Sequence, residues 1–429
     1  MNSPRNTGGV ALWLIFAVWT LLALTPGTVA AACGGYTDVS SEAELDTAIA
    51  SFNSQPGPCI FGIRFAGDVL LTASTSPIDN SNQGVELVID GQGASLDAQN
   101  LPGVRPLYIA YVSTVHVTDL TIENGNAPPS ELAGGIFNAG ILTLSDCTIA
   151  NNTANTSGGI HNDGLLTVSR CSIFGNSSTG LGASGGGIGN STGRTVTVTD
   201  SIFAGNSTQR GGGLYNNNGT AIVERTLFTN NTASLDGGAI YLSNGGQVVL
   251  INSTVSGNSA QLAGGGGIYV ASGLMKLTHV TVTGNTGGGI ANSSGALRLN
   301  NSVFSANPDG GDCRSFNINV TIKHSLLSDA GVTACGLDAA NPDEDGNIIG
   351  QDPLLGPLQA NGGPTDCHAL GESSPAIDAG DDALAVDFAE DPLEHDQRGP
   401  GYPRRTGYGV DMGAYEAPGA LFLDGFEER

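Results

Sequence analysis

The stretch SIFAGNSTQRGGGLYNNNG, residues 201–219, decides the fold of this chain. Most of it is Ser, Asn and Gly, but Phe203 and Leu214 stand among them at positions that neighbouring segments also fill with apolar residues. The whole chain shares this character, with 65 glycines in 429 residues, 39% hydrophobic residues and only 6% aromatic residues. Composition alone therefore permits either a low-complexity tract or a regular repeat with a core of β-branched and small side chains.

The same pattern returns every 22 to 30 residues between about residues 115 and 330. Each repeat can be aligned on one small or apolar residue: Leu120, Cys147, Cys171, Ser201, Thr226, Ser253, Val280, Ser302 and Ser325. Two residues later every repeat has an apolar residue: Ile122, Ile149, Ile173, Phe203, Phe228, Val255, Val282, Phe304 and Leu327. Five residues after the alignment position seven repeats have asparagine: Asn152, Asn176, Asn206, Asn231, Asn258, Asn285 and Asn307.

This periodicity predicts an all-β parallel β-helix. Apolar residues alternate within each repeat as they do in a strand, and a strand pattern repeated about every 25 residues indicates a solenoid of stacked coils. Nine coils spaced by about 4.8 Å would form a rod on the order of 40 Å long, with Phe203 directly below Phe228. The asparagines predict a hydrogen-bonded ladder at a sharp bend, where asparagine tolerates the left-handed conformation.

Glycine doublets mark a second corner of each coil, at Gly134, Gly158, Gly186, Gly212, Gly237, Gly266, Gly288 and the glycine after each. Single glycines such as Gly140, Gly164 and Gly219 mark a third. We therefore expect three bends and three short sheets per coil, and a roughly triangular cross-section.

The chain begins with features of an export signal. Arg5 precedes the apolar run VALWLIFAVWTLLAL and the small residues up to Ala32, so we expect residues 1–32 to be cleaved and the protein to be secreted or placed on the cell surface. No later segment has the length and apolarity of a membrane span. Lipid attachment at Cys33, as in a lipoprotein, is the alternative to a disulfide there. Residues 33–114 would form an N-terminal cap with a helix, SEAELDTAIASFN, followed by the first irregular coils.

Seven cysteines in an exported chain indicate disulfides with one residue left over. We expect Cys33 to pair with Cys59 and Cys313 with Cys335. Cys147 and Cys171 occupy the small-residue position of adjacent coils and could either bridge or pack as two buried thiols. Cys367 would then be the unpaired residue.

Two resemblances to known families follow from these motifs. The repeat I/F-x-x-N followed by GG-[AIL], over residues 115–335, resembles polymorphic outer-membrane proteins and related bacterial right-handed β-helix proteins of pectin lyase-like fold. The segments DPLLGPLQANGGPTDCHALGESSPAIDAGDD, DQRGPG and DMGAYE, within residues 336–416, are similar to the module called choice-of-anchor Q, although Cys367 stands where threonine is expected. These resemblances imply a right-handed solenoid whose irregular C-terminal module covers the end of the coils, followed by a short tail, 417–429, resembling a terminal tag of secreted proteins.

The net charge of the chain limits the kinds of partner that we expect. The chain has 40 acidic and 15 basic residues, a net charge of −25, and about half of the acids follow residue 335. This balance argues against nucleic acid as a partner and is compatible with a divalent cation. Asn341, Asp343, Asp345 and Asp352 have the spacing of oxygen ligands in a calcium loop, so Ca²⁺ is the one cofactor that the sequence suggests. A polar turn is the alternative.

A catalytic site would need grouped carboxylates on one face. The column just before the alignment position instead mixes signs: Asp119, Asp146, Arg170, Asp200, Arg225, Asn252, His279, Asn301 and His324. We interpret it as an ion ladder, assign no catalytic residue, and regard His161 and His279 as surface substitutions. A polysaccharide lyase or glycoside hydrolase is the alternative function.

An outward aromatic stripe favours binding instead. The residue after each GG-[AIL] element is aromatic or histidine in five coils, at Phe137, His161, Tyr215, Tyr241 and Tyr269. Such a stripe suits contact with the rings of an extracellular polysaccharide or cell-surface glycan, or it can simply stack on itself. The resulting hypothesis is a monomeric, adhesin-like or glycan-binding structural rod without catalysis.

Overall fold

A computed structural model describes residues 31–82, 84–128, 131–182, 184–261, 265–338 and 345–419. Its main body is a right-handed parallel β-solenoid; the repeats predict the solenoid, and the family resemblance predicts its hand. Residues 1–30, which contain most of the expected signal, and residues 420–429, which contain most of the tail, lie outside the described part. Among the described residues, no helix is long and apolar enough to cross a membrane.

The strands of successive coils pair in parallel and build three sheets. The largest, with 22 strands, consists of two rows that meet at a shallow corner. Its first row contains Ala31–Val39, Cys59–Phe65, Val85–Asp90, Thr114–Thr118, Ile141–Ser145, Leu165–Ser169, Thr195–Thr199, Thr220–Glu224, Gln247–Ser256, Leu274–Thr283, Ala296–Asn300 and Val320–Lys323. Its second row contains Val69–Leu70, Ser95–Asp97, Thr121–Glu123, Thr148–Ala150, Ser172–Phe174, Ile202–Ala204, Leu227–Thr229, Val303–Ser305, Leu326–Leu327 and Ile348–Ile349, and the two long strands of the first row also run through it.

Two smaller parallel sheets close each coil. A five-stranded sheet contains Thr153–Ala154, Ser177–Ser178, Ser207–Arg210, Thr232–Asp236 and Ser259–Ala260. The nine-stranded sheet, which we call the stripe sheet, contains Leu107–Ile109, Ile136–Asn138, Ile160–Asn162, Ile188–Asn190, Leu214–Asn217, Ile240–Ser243, Ile268–Val270, Ile290–Asn292 and Cys313–Ser315. Where the five-stranded sheet is present, the three sheets agree with the predicted triangular section.

The core follows the predicted columns. All nine alignment residues are buried, and the nine apolar residues two positions later have 0% exposure. The Phe203 and Phe228 rings stack with centroids 4.6 Å apart. Six of the seven ladder asparagines donate their side-chain amide to the side-chain oxygen of the asparagine one coil further on, for example Asn206 to Asn231 at 2.9 Å, and the last, Asn307, donates to Asp312 instead.

The bends differ in detail from the prediction. The left-handed residue is not the ladder asparagine but the residue before it, for example Asn151 with φ 56° and Asn230 with φ 55°. The ladder side chain must point inward to reach its neighbours, so the bend is made one position earlier. The doublets are glycine because coils approach closely there: a Cβ on Gly158 would lie 2.4 Å from the backbone nitrogen of Ser177.

The N-terminal cap forms as predicted. The helix Glu42–Asn53 begins at Ser41, whose side chain accepts a hydrogen bond from the Glu44 amide, and it buries Leu45, Ala48, Ile49 and Phe52. Cys33 and Cys59 form a disulfide, so the Cys33 thiol is not free for the lipid considered as an alternative. Cys313 and Cys335 form the second predicted disulfide.

The C-terminal module, described over residues 345–419, contains a two-stranded antiparallel sheet of Leu355–Gln359 and Cys367–Leu370 and a 3₁₀ turn at Asp382–Leu384. A further 3₁₀ turn at Gly331–Thr333 precedes it. We expected the module to cover the end of the coils, but its contacts run back along their side. Thr365 donates to the Arg225 carbonyl, Gln397 accepts from Thr254 at 2.6 Å, and Asp381 bonds Asn301. The module thus lies against the corner between the two rows of the large sheet, over several coils.

Candidate functional site

The stripe sheet brings one outward residue of each coil into a single column. The strand registers align Tyr108, Phe137, His161, Gly189, Tyr215, Tyr241, Tyr269, Ala291 and Arg314. All five residues predicted to bind ligand therefore lie in one column. Tyr108 extends the column by one coil, but it lies in the region that we assigned to irregular coils.

The rings of this column stack on one another in two groups of three. Tyr108, Phe137 and His161 have centroid distances of 5.0 and 5.5 Å, and Tyr215, Tyr241 and Tyr269 have 5.4 and 5.3 Å. Neighbouring ring planes differ by 10 to 16°. Because Gly189 separates the groups, the column is interrupted at its centre. The stacking uses much of the ring faces, so a ligand would meet ring edges along most of the column.

His161 is held inside the first group rather than being a free surface residue. Its Nδ1 lies 3.0 Å from the Ser157 hydroxyl and its Nε2 lies 3.1 Å from the Ser191 hydroxyl. Burial lowers the pKa of His161 to about 4, so the ring is neutral at pH 7. A neutral ring with both nitrogens bonded stacks readily on Phe137, and this corrects the interpretation of His161 as a lone substitution.

The second group is bordered by a guanidinium. The Arg210 side chain lies 5.9 Å from the Tyr241 ring centroid and 3.7 Å from an Asp236 carboxylate oxygen. Tyr241 is half-buried, and this burial raises the pKa of its hydroxyl to about 12. The Tyr215 hydroxyl accepts a hydrogen bond from Ser243. The rings are therefore fixed in place before any ligand arrives, which limits the entropy lost on binding.

A cavity of about 520 Å³ opens at the first end of the column. Its lining consists of Ser74, Thr75, Pro77, Arg105, Tyr108, Glu131, Leu132 and Phe137. We call it the Arg105 cavity. Sequence analysis missed it because Arg105 and Glu131 belong to loops of different coils outside the repeat pattern. The only signal was the aromatic residue Tyr108, one coil before Phe137.

The charged column forms ion pairs over part of its length, as predicted. Arg170 bonds Asp146 at 2.7 Å, and Arg225 bonds Asp200 at 2.7 Å and also contacts Glu224. The Arg170 side chain lowers the pKa of Asp146, but both side chains are about half exposed, so the pair adds little stability. All nine residues of this column have positive φ, between 44 and 56°.

From Asn252 onward the same column is covered by the C-terminal module. His279, which we expected at the surface, is fully buried: its Nδ1 bonds the Asp411 carbonyl at 3.1 Å and its Nε2 accepts from Asn301 at 3.0 Å. Burial and then the nearby Arg404 hold the pKa of His279 well below its usual value. The change from charged residues to amides and imidazoles in this column therefore marks the surface on which the module docks.

Motif residues of the module serve this docking. Arg404 and Glu416 form an ion pair with both side chains 1% exposed, and Arg404 also reaches the Asn252 side chain. Arg398 bonds Asp396 and lies between the rings of Tyr402 and Tyr415, 4.1 and 3.9 Å from their centroids. The polar residues of DQRGPG and DMGAYE are thus buried and hydrogen-bonded.

One group of carboxylates escaped the sequence analysis. Asp97 and Glu123 are in register in adjacent coils of the second row, on its outward face, and Asp68 lies nearby. Burial, followed by the negative charges of Asp97 and Asp68, raises the pKa of Glu123. Asp68 and Asp97 precede the coils that we had aligned, so their register with Glu123 was not visible.

The predicted calcium loop is only partly described. Asn341 and Asp343 lie outside the described residues. Asp345 lies 3.4 Å from the Lys323 ammonium, and Asp352 accepts the Leu354 amide of its own turn. Within the described ranges, no cluster of three metal-ligating side chains occurs. Ca²⁺ binding here remains a prediction.

The other cysteines are not bridged. Cys147 and Cys171 are buried free thiols, and the Cys147 amide donates to the Cys171 sulfur at 3.3 Å. The Cys147 thiol and burial together raise the pKa of Cys171. Cys367 is also free and buried, and burial raises its pKa to about 11. Of the two alternatives for Cys147 and Cys171, the structure shows packing.

One family model agrees with the fold. A family model described as a right-handed beta helix region matches residues 160–327. Among solved structures, a crystal structure of the pectate lyase Pel9A matches 86% of this chain and 90% of its own, with 11% sequence identity and a TM-score of 0.47. That likeness is too distant to carry an argument about activity. No curated protein matches the chain.

Proposed function

We propose that this chain is an exported, adhesin-like rod that binds glycan without transforming it. The observation that carries the proposal is the aromatic column of the stripe sheet, with six rings in register on a rigid solenoid and a guanidinium beside each group of three. Aromatic surfaces flanked by polar groups suit sugar rings, which combine apolar faces with hydroxyl rims. Rigid placement favours such contacts because little side-chain freedom is lost.

Location outside the cytosol is supported by two observations of different kinds. The sequence up to Ala32 has the pattern of an export signal, and the structure contains two disulfides, which are typical of proteins that fold in an oxidising compartment. The resemblance of residues 336–416 to the choice-of-anchor Q module supports display at a bacterial cell surface.

A glycan array tests the binding function. The chain from Cys33 onward should bind a subset of extracellular polysaccharides or surface glycans, and the variant Tyr215→Ala/Tyr241→Ala/Tyr269→Ala should bind at least tenfold more weakly. Tyr111→Ala is the matched control, since Tyr111 is 70% exposed and outside the column. Equal losses in the control and the triple variant would indicate general damage, and unchanged binding in the triple variant would exclude this group of rings.

Glycoside hydrolysis is the second candidate, and one observation favours it. Asp97 and Glu123 face outward in adjacent coils, and burial, followed by the charges of Asp97 and Asp68, raises the pKa of Glu123, which is the direction that favours a general acid. A degradation assay on pectin, alginate and neutral polymers, with and without Ca²⁺, separates the two functions. Turnover that disappears in Glu123→Gln would establish the enzyme and end the binding-only proposal.

A further inference from the structure

The Arg105 cavity combines a buried cation, exposed carboxylate and apolar surface in one small space. The Arg105 side chain is only 7% exposed, and its guanidinium carbon lies 5.8 Å from the Tyr108 ring centroid and 5.7 Å from that of Phe137. Leu132, 38% exposed, and Pro77 add apolar wall. At about 520 Å³ the cavity falls within the range of about 300–1,000 Å³ usual for small-molecule sites.

The guanidinium of Arg105 is held in place beside the cavity. Its Nε donates to the Ala133 carbonyl at 3.1 Å, and Nη2 contacts the Glu131 carboxylate. These two contacts fix the direction of the side chain, and an arginine has five N–H donors in all. Because Arg105 and Glu131 both line the cavity, a ligand that enters it meets a charged donor and a charged acceptor side by side.

Charge in the cavity favours a neutral ligand. Glu131 compensates Arg105, so an added carboxylate would approach Glu131 as well as the guanidinium. Adjacent hydroxyls of a sugar can use both groups, because one accepts from the guanidinium while the next donates to the Glu131 carboxylate. The apolar face of the same ring can lie against Tyr108, Phe137 and Leu132.

We propose that the Arg105 cavity binds one neutral hexose residue of a glycan, and that the rest of the glycan follows the column of the stripe sheet. This inference rests on the proposed glycan-binding function. It places the main sugar specificity of the protein at the Arg105 cavity, at the first end of the aromatic column. The cavity is the better site because Tyr108 is the terminal ring of its stacked group and borders the same open space as the Arg105 guanidinium and the Glu131 carboxylate.

Titration calorimetry with neutral hexose tetrasaccharides and matching uronate tetrasaccharides tests this site. We expect the chain from Cys33 onward to prefer neutral sugars. Glu131→Gln should weaken neutral binding about tenfold by removing a charged acceptor, and should improve uronate binding because Arg105 becomes uncompensated. Leu132→Ala should weaken both, and Arg105→Lys should weaken neutral binding. Glu394→Gln, with its side chain 87% exposed in the C-terminal module, is the control.

The outcomes separate this inference from the proposed function. Neutral binding that survives Glu131→Gln, Leu132→Ala and Arg105→Lys, but falls in the Tyr215/Tyr241/Tyr269 triple alanine variant, overturns the cavity and leaves the glycan-binding rod. A preference of the unmodified chain for uronates also overturns the cavity as a neutral site. Absence of binding to every sugar overturns both.

Discussion

Asn206, Asn231 and Asn258 show how single residues hold the coils together. Each side-chain oxygen accepts two hydrogen bonds, from the backbone amide and the side-chain amide of the preceding ladder residue, and each side-chain nitrogen donates onward. These groups are fully buried, so every bond is made away from water. Buried polar groups cost free energy when a partner is lost, and the ladder therefore links each coil to the next.

Replacing one ladder asparagine should strongly destabilise the folded protein. Asn231→Ala removes the acceptor of the Asn206 amide and side chain, and we expect a loss of about 2–4 kcal/mol in the free energy of unfolding, since each unsatisfied group costs roughly 1–3 kcal/mol. Urea unfolding followed by circular dichroism measures it. The neighbouring variant Asn230→Gly is the control, because Asn230 is exposed and already has φ 55°, which glycine adopts freely. Equal midpoints for the two variants would contradict the ladder's role.

At the scale of elements, the C-terminal module and the coils share a polar contact surface. Asn252, Thr254, His279, Thr281 and Asn301 bond module residues, while Val303 and Leu326 form a small apolar cluster with Ala376 and Met412. The hydrogen bonds require particular protonation states. His279 serves as acceptor for Asn301 only while it is neutral.

Docking of the module should therefore depend on pH through His279. Its folded pKa is well below the unfolded value of about 6.5, so the neutral form contributes stability above about pH 6.5 that is lost as pH falls. Between pH 7 and 5 the loss should be on the order of 2 kcal/mol. Limited proteolysis at a series of pH values measures this loss, as the rate of cleavage in the module compared with that in the coils.

The variant His279→Gln isolates this effect. Glutamine can keep one donor and one acceptor but does not titrate. Protection of the module from protease should therefore change less between pH 7 and 5 in the variant than in the unmodified protein. Arg404, Asp411 and Glu416 border the same surface and remain in both proteins. Burial raises the pKa of Glu416 to about 7, and this group alone would strengthen docking as pH falls. Parallel pH profiles of the two proteins would show that His279 is not the responsible group.

On the scale of the whole molecule, each coil contacts mainly its two neighbours, and stability passes along the rod from coil to coil. The ends lack one neighbour. The two disulfides lie near these ends, joining Cys33 to Cys59 and Cys313 to Cys335 across adjacent coils. They close loops where fraying would otherwise begin.

Removal of one disulfide should therefore destabilise only the end of the rod at which it lies. Cys33→Ser/Cys59→Ser should lower stability by about 2–4 kcal/mol and increase hydrogen exchange in residues 31–90, with little change in residues 240–330. Cys147→Ser/Cys171→Ser is the control, since serine already fills this buried column at Ser201 and Ser253. Uniform loss of protection along the rod would contradict independent ends.

The regular part of this molecule was predictable because every coil repeats one pattern. The ladder asparagines, the Phe203 and Phe228 stack and the cap at Ser41 follow from fixed spacings. Both disulfides were expected because each joins two cysteines that are close in the sequence. The aromatic column was found for the same reason. Its self-stacking was one of two predicted alternatives and is seen in the ring geometry, whereas contact with a glycan stays a prediction.

Contacts outside the repeats could not be predicted from sequence spacing. Thr254 meets Gln397 across 143 residues, and Arg105 meets Glu131 through two loops that have no period. One signal was available: Val249 and Ile251 fill outward strand positions yet are 0% and 1% exposed. Apolar residues at outward positions indicate a covered face, and they could have located the module beside the rod.

The lateral position of the module has a consequence for growth of the chain by duplication. None of the hydrogen bonds described above between the module and the coils involves residues 140 to 200. One more unit of about 25 residues inserted there would therefore move the Arg105 cavity away from the module by about 4.8 Å. An insertion between residues 252 and 324 would instead misalign Asn252, His279 and Asn301 with their partners. The rod thus has one segment whose length is adjustable and another whose length is set by the module beside it.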